Sequence, residues 1–289
     1  MDFRAIAMGL TFALIWSSAY ATARVIITDA APLLSLAIRF SISGALALGV
    51  GLAMGQSLRL TRAQWRATLI FGLCQNAIYL GLNFVAMQWI EASLAAIIAS
   101  TMPLIVATLG WAFLRQKVRP LGVLGLCLGF GGVALIMQAR LSGGGADPVG
   151  VGLCLIAALA LATATLMLRG AASGGNLWIV VGLQMWVGAA VLGIAAFGWE
   201  PWRLNPTPAW FAAMAYQIVM PGILATLLWF TLVRRIGAVK AATFHFLNPF
   251  LGVATAALLL GEAVRPTDMI GVAIVMAGIL AVQLSKQQA

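Results

Sequence analysis

The sequence predicts an all-α polytopic membrane protein, with ten transmembrane helices arranged as two five-helix repeats of inverted topology. Three observations carry this. Of the 289 residues, 63% are hydrophobic and only 8% charged, which lies outside the range of a water-soluble domain. Apolar runs of about 18 residues or more recur ten times between charged or Gly/Pro-rich breaks. The chain also matches itself at a gap-free shift of 146 residues: Pro103 falls on Pro249, Val118-Arg119-Pro120 on Val264-Arg265-Pro266, Gly125 on Gly271 and Gly132 on Gly278.

The runs are bounded in order by the breaks between them. The first, 4–27, follows Arg4 and ends before Asp29; the second, 33–55, lies between Pro32 and the arginines 59, 62 and 66. The third, 67–88, stops at Glu91. The fourth, 92–113, ends at Arg115, Lys117 and Arg119-Pro120, and the fifth, 120–138, at Arg140. A Gly-rich stretch, Ser142-Gly143-Gly144-Gly145 with Asp147-Pro148, then makes the one linker. The sixth, 149–169, runs to Arg169, and the seventh, 177–197, to Glu200-Pro201. The eighth, 208–231, closes at Arg234 and Arg235, the ninth, 238–260, at Gly261-Glu262, and the tenth, 267–284, before Lys286. The organisation is therefore a first repeat over 1–138, a linker over 139–148 and a second repeat over 149–289. Membrane strands would alternate apolar and polar residues in segments of about ten, and none do.

Arg4 with Ala21-Thr22-Ala23 resembles a secretory signal, but the run is longer than a signal core and the repeat needs the helix as a permanent member. With the N-terminus in the cytoplasm, twelve basic residues fall inside and four outside, Arg24, Arg140, Arg203 and Arg265. The positive-inside rule then puts both termini in the cytoplasm. Six of the seven acids, Asp29, Glu91, Asp147, Glu200, Glu262 and Asp268, fall outside. This placement explains a net charge of +10 without nucleic acid. Cys74, Cys127 and Cys154 sit in apolar runs without CxxC spacing or a His cluster, so no metal, disulfide framework or cofactor is expected.

Five helices per repeat is an odd number, so the second half crosses the membrane in the opposite sense, as in many secondary transporters. Trp16-Ser17, Arg39-Phe40, and Asn248-Pro249 followed by Gly261-Glu262 and Gly271 resemble the drug/metabolite transporter superfamily, specifically its ten-helix EamA-type exporters. Within that family the chain looks most like the YddG-type exporters of aromatic and other neutral amino acids. The first half has Arg115-Gln116 where the pattern has Gly-Glu, so that loop serves the two halves differently. The resemblance implies an exporter of the inner (cytoplasmic) membrane, whose partners are a small-molecule substrate and the lipid bilayer. Oligomeric state stays open and is compatible with a monomer.

Polar groups at mid-helix face a cavity or another helix. Gln75, Tyr79 and Asn83 form one stripe at i, i+4, i+8 of the third helix, read as a cavity wall or as interhelical bonding of about 1 kcal/mol per pair. His245, the only histidine, shares a face with Asn248 beside Pro249; it reads as a substrate contact or as a structural hydrogen-bonder. Thr101 and Met102, before Pro103, make the matching point of the fourth helix, and Pro103 and Pro249 read as hinges. Trp16, Ser17, Thr163, Tyr216 and Gln217 complete the candidate lining. Arg39, inside the second helix, reads as a structural intramembrane charge paired with Glu91, or as an anion contact. Gly51 with Gly55, Gly125 with Gly129 and Gly170 with Gly174 read as close-packing faces. An intramembrane enzyme would need a nucleophile with its base, a metal cluster or paired carboxylates, and the chain supplies none. With no mid-membrane Asp or Glu, the expected mechanism is facilitative; the alternative is a proton-coupled exporter of drugs or other metabolites.

Overall fold

A computed structural model describes residues 3–115, 118–142, 146–167 and 176–287. Among these residues ten helices are long and apolar enough to cross a membrane: α1 (Phe3–Asp29), α2 (Pro32–Ala53), α3 (Arg62–Ala86), α4 (Ala92–Phe113), α5 (Pro120–Ser142), α6 (Pro148–Leu166), α7 (Leu177–Trp199), α8 (Pro208–Ile236), α9 (Lys240–Leu260) and α10 (Pro266–Ser285). No strand occurs among them beyond two isolated bridges. Gly143–Gly145 of the expected linker, with Lys117, Arg169, Gly170 and Gly174, lie outside the described residues.

Two helix ends depart from expectation for physical reasons. Helix α3 opens at Arg62, because Thr61 Oγ1 accepts from the Gln64 amide at 3.2 Å while the Gln64 side chain accepts from the Thr61 amide at 2.8 Å. This reciprocal cap holds the helix start ahead of the apolar run. Helix α5 continues past Gln138 to Ser142, since Arg140 is fully buried rather than in a solvated loop. Its Nε and Nη2 donate to Asp268 at 3.1 and 2.8 Å, Nη2 donates to Ser93 Oγ at 3.2 Å, and Nη1 pairs with Glu91. Glu91 is thus the partner of Arg140 and not of Arg39, which corrects the expected Arg39–Glu91 pair.

The other acids at this end of the bundle also hold helices together. Glu200 accepts from the amides of Leu33 and Leu34 at the start of α2, and Glu262 from those of Ala92 and Ser93 at the start of α4. Carboxylates there satisfy orphan donors and oppose the positive end of the helix dipole. Arg203 donates to the Ile27 carbonyl, and Asp29 accepts from Thr207, so the segment after α7 closes over the α1–α2 turn.

Four helices are irregular inside the bundle. Helix α3 widens to a π-helix over Gly72–Leu80 and α8 over Ile218–Leu224. The α4 helix breaks at Ser100-Thr101, and α9 tightens to 3-10 over Thr243–Leu247. At the shift of 146, Gly72 falls on Ile218, and Met102 falls on Asn248; Met102 and Asn248 each start the helical segment beyond the break. Pro103 and Pro249 thereby occupy the second position of a new helical segment, where a missing N–H costs no internal hydrogen bond.

Helix α5 packs on α10 through glycine. A Cβ at Gly278 would lie 2.4 Å from Gly129 N and 2.6 Å from Gly129 Cα, and one at Gly125 would lie 2.7 Å from the Gly278 carbonyl. The Gly125–Gly129 face works as the spacing predicts. Gly51 meets Ile179 and Trp178, whereas Gly55 has φ +73° and open space around it, so it ends α2 instead of packing. Gly278→Ala is expected to lower stability by about 1–3 kcal/mol, because backbone rather than a flexible side chain fills the space. Gly131→Ala, in the interior of α5 with nothing within 4 Å, is expected not to lower the temperature of thermal unfolding in detergent, since Ala is the better helix former.

Candidate functional site

The irregular stretches converge on two neighbouring cavities. The larger, about 680 Å³ including its open side, is walled by Trp16, Ala19, Tyr20 and Ala23 of α1, Arg39 and Phe40 of α2, and Gln75, Asn76, Tyr79 and Asn83 of α3; Gln184 of α7 and Gln217, Pro221 and Gly222 of α8 close it. The second, about 380 Å³, lies against the breaks of α4 and α9, with Ser17, Ser100, Met102, Pro103, Leu161, His245 and Asn248 in its wall. Trp16, Tyr20 and Tyr79 line both. The Tyr20 and Tyr79 hydroxyls bond to each other at 2.5 Å. The linings combine apolar and aromatic side chains with a few placed polar groups, the composition usual in small-molecule sites.

Several polar side chains of the walls are held by hydrogen bonds within and between helices. Asn76 Nδ2 donates to the Gln184 carbonyl at 2.9 Å, across to α7. Asn83 Nδ2 donates to the Tyr79 carbonyl at 2.7 Å, and the Cys154 thiol donates to its Oδ1 at 3.3 Å. Gln217 donates to the Ala19 carbonyl at 2.6 Å and to Thr22 Oγ1 at 2.8 Å. Asn248 Nδ2 donates to His245 Nδ1 at 2.9 Å, and Asn248 Oδ1 accepts from Ser17 Oγ at 3.5 Å. Accepting at Nδ1 leaves the proton of the neutral imidazole on Nε2. The ring stands edge-on to Phe12 and Trp16, at centroid distances of 5.5 and 6.4 Å, and lies 5.3 Å from Trp229. Among the described residues, no Asp or Glu lines either cavity, and no cluster of His, Cys, Asp and Glu is placed to hold a metal.

A profile of the EamA-like transporter family matches residues 3–138 and again 148–284. The chain belongs to the EamA-like transporter family. It is 28% identical to the uncharacterized transporter YvbV of Bacillus subtilis over 92% of this chain and 87% of that one. It is also 28% identical to the uncharacterized inner membrane transporter YedA of Escherichia coli K12, over 96% and 90%. The aromatic amino acid exporter YddG of Ancylobacter novellus is 30% identical over 49% of this chain and 48% of its own length. A solved crystal structure superposes with a TM-score of 0.70 at 22% identity, covering 100% of this chain and 99% of that one, which shows the shared fold. The protein is a multi-pass membrane transporter of the drug/metabolite transporter superfamily.

In this EamA-like protein most expected lining residues meet at the two cavities: Trp16, Ser17, Gln75, Tyr79, Asn83, Met102, Gln217, His245 and Asn248. Three do not line them. Thr163 is exposed and returns its hydroxyl to the Leu159 carbonyl. Thr101 is buried, with its hydroxyl on the Ile98 carbonyl. Tyr216 bonds Ser18 at 2.6 Å behind the wall. Arg39, read as a structural charge or an anion contact, lines the larger cavity. Gln184 and Pro221-Gly222 were missed, although a lone amide in mid-helix and a Pro-Gly inside an apolar run are visible signals. Asn248→Ala would strip His245 Nδ1 and the Ser17 hydroxyl of their partner, so a stability loss of roughly 1–3 kcal/mol is expected. Ser17→Ala, losing one 3.5 Å contact, is expected to cost less; thermal unfolding of the purified variants checks both.

Proposed function

We propose that this transporter exports small neutral metabolites, aromatic and other neutral amino acids foremost, across the inner membrane by alternating exposure of the central cavities. The observation that carries the reading is the wall itself: aromatic faces and neutral hydrogen-bonding groups meet where the irregular stretches of both halves converge, with the Arg39 guanidinium beside them and no carboxylate among the described lining residues. Such a wall suits an apolar side chain next to a polar head. A lipophilic cation would call for a buried carboxylate. The likeness over half its length to an aromatic amino acid exporter points the same way. The two five-helix repeats, 1–138 and 149–289 joined through 139–148, would rock about the Pro103 and Pro249 breaks.

The absence of a lining acid also supports facilitation, since proton coupling ordinarily uses a titratable group reachable from both sides. A cell that accumulates the substrate holds the outward gradient already. Purified protein in liposomes is expected to carry out counterflow of labelled L-phenylalanine without a pH gradient, and an imposed gradient is expected to give no net accumulation. Proton-driven uphill accumulation that vanishes in His245→Ala would contradict facilitation. Trp16→Ala is expected to reduce counterflow about tenfold, the worth of one aromatic contact, while Thr163→Ala leaves it unchanged. Both termini are assigned to the cytoplasm. In a cysteine-free background, Asn205→Cys is then expected to react with an impermeant thiol reagent from outside whole cells and Ser57→Cys only after permeabilisation; the reverse pattern would invert the orientation.

A further inference from the structure

We propose that Arg39 is the anchor for a carboxylate of the substrate: a guanidinium presented to the larger cavity that receives one carboxylate of a small ligand with an apolar body. The carboxylate is then the group required for recognition, and the amine of an amino acid is dispensable. The inference rests on the transport reading of the same cavity and deepens it.

Arg39 lies two turns inside α2 and is 5% exposed, and its Nε has no hydrogen-bond partner. Among the described residues no carboxylate pairs with it, and Asp29 and Asp147 accept from Thr207 and the Val149 amide instead. Glu91 and Asp268 are committed to Arg140, Glu200 to the start of α2 and Glu262 to the start of α4. A charge buried without a counter-ion is costly and marks function in a membrane protein. The guanidinium carbon sits 5.1 Å from the Phe40 ring centroid. That contact steadies the group through its face and leaves its N–H fork unspent.

Other unpartnered polar atoms lie near Arg39 in α2 and in the cavity wall. Ser35 and Ser43 flank Arg39 at i−4 and i+4 on the same face of α2, and each has a buried hydroxyl with no partner, although neither lines the cavity itself. The Gln217 Oε1 is also unpartnered, although its amide nitrogen is held by Ala19 and Thr22. A carboxylate offers about four lone-pair sites and matches the planar fork in a bidentate pair. For an ammonium the wall offers only neutral acceptors such as Gln217 Oε1, a weaker reception than an ion pair. Trp16 and Tyr79 stand in the same wall to take the apolar body. Acids and amino acids should therefore bind, and amides and amines should not.

The test is calorimetric titration of the full chain in detergent with L-phenylalanine, 3-phenylpropionate, L-phenylalaninamide and phenethylamine. The expected result is binding of the two carboxylates, with the amide and the amine at least tenfold weaker. That ranking is read on the unsubstituted protein, so it does not depend on any variant folding. Arg39→Gln is expected to weaken both carboxylates by about tenfold or more, and Arg39→Lys, which keeps charge but not the fork, is expected to fall between. An amine or amide that binds as tightly as the acids would overturn the proposal. So would a folded Arg39→Gln variant with unchanged acid affinity, or an unsubstituted protein that binds neither carboxylate at millimolar concentration. If 3-phenylpropionate binds through Arg39 while L-phenylalanine gives no counterflow, the amino acid reading fails and the anchor stands. If L-phenylalaninamide is carried as well as L-phenylalanine, the anchor fails and the transport reading stands.

Discussion

Hydrocarbon offers no hydrogen bonds, so every polar group that enters the bundle has to be satisfied by the protein or by what the protein carries. This constraint sorts the ionisable residues. Arg140 is the clearest case: fully buried, it joins Glu91 at the α3–α4 turn to Asp268 on α10 and reaches Ser93 on α4. Glu200 and Glu262 each settle on the first amides of a helix distant in sequence. One end of the molecule is therefore tied by acids that serve as caps and counter-ions, and none of them reaches the cavities.

With that end fixed, the interior takes its shape from departures in helical winding. π-helical segments widen α3 and α8, and α4 and α9 lose regular α geometry just before Pro103 and Pro249. Such stretches commonly accompany functional sites, because they turn side chains and free backbone groups that a regular helix would consume. Gln75, Asn76 and Tyr79 project from one π segment, and Pro221 and Gly222 come from the other. His245 lies in the 3-10 stretch of α9 and Asn248 starts the segment beyond it. The straight, glycine-faced contact of α5 with α10 provides a rigid counterpart to these deformable helices.

Ten helices were legible because hydrophobic length is the membrane's own criterion, and composition alone excludes a soluble fold. The ends were less legible. Arg140 reads as a loop charge until Asp268 and Glu91 are seen to meet it, and a contact across 128 residues leaves no local trace. The Thr61-x-x-Gln64 cap was present in the letters but overshadowed by the arginines beside it. Mid-helix polarity found Tyr79, Asn83, His245 and Asn248, yet it failed for Thr101 and Thr163. A threonine hydroxyl can bond the carbonyl one turn back and needs nothing across the helix. Arg39 was found as a charge but given the wrong neighbour, since which acid reaches which cation is decided by helix packing and not by spacing.

The central claim is that the cavity bordered by the two π segments is the path that opens in turn to each side. Chemical accessibility of one position within it tests that most directly. In a cysteine-free background, Gln75→Cys, half-buried in the larger cavity, is predicted to react with a charged thiol reagent added from either side of the membrane, and substrate is predicted to slow both reactions. A residue that reacts from neither side, or from one side only and without protection by substrate, would contradict the account.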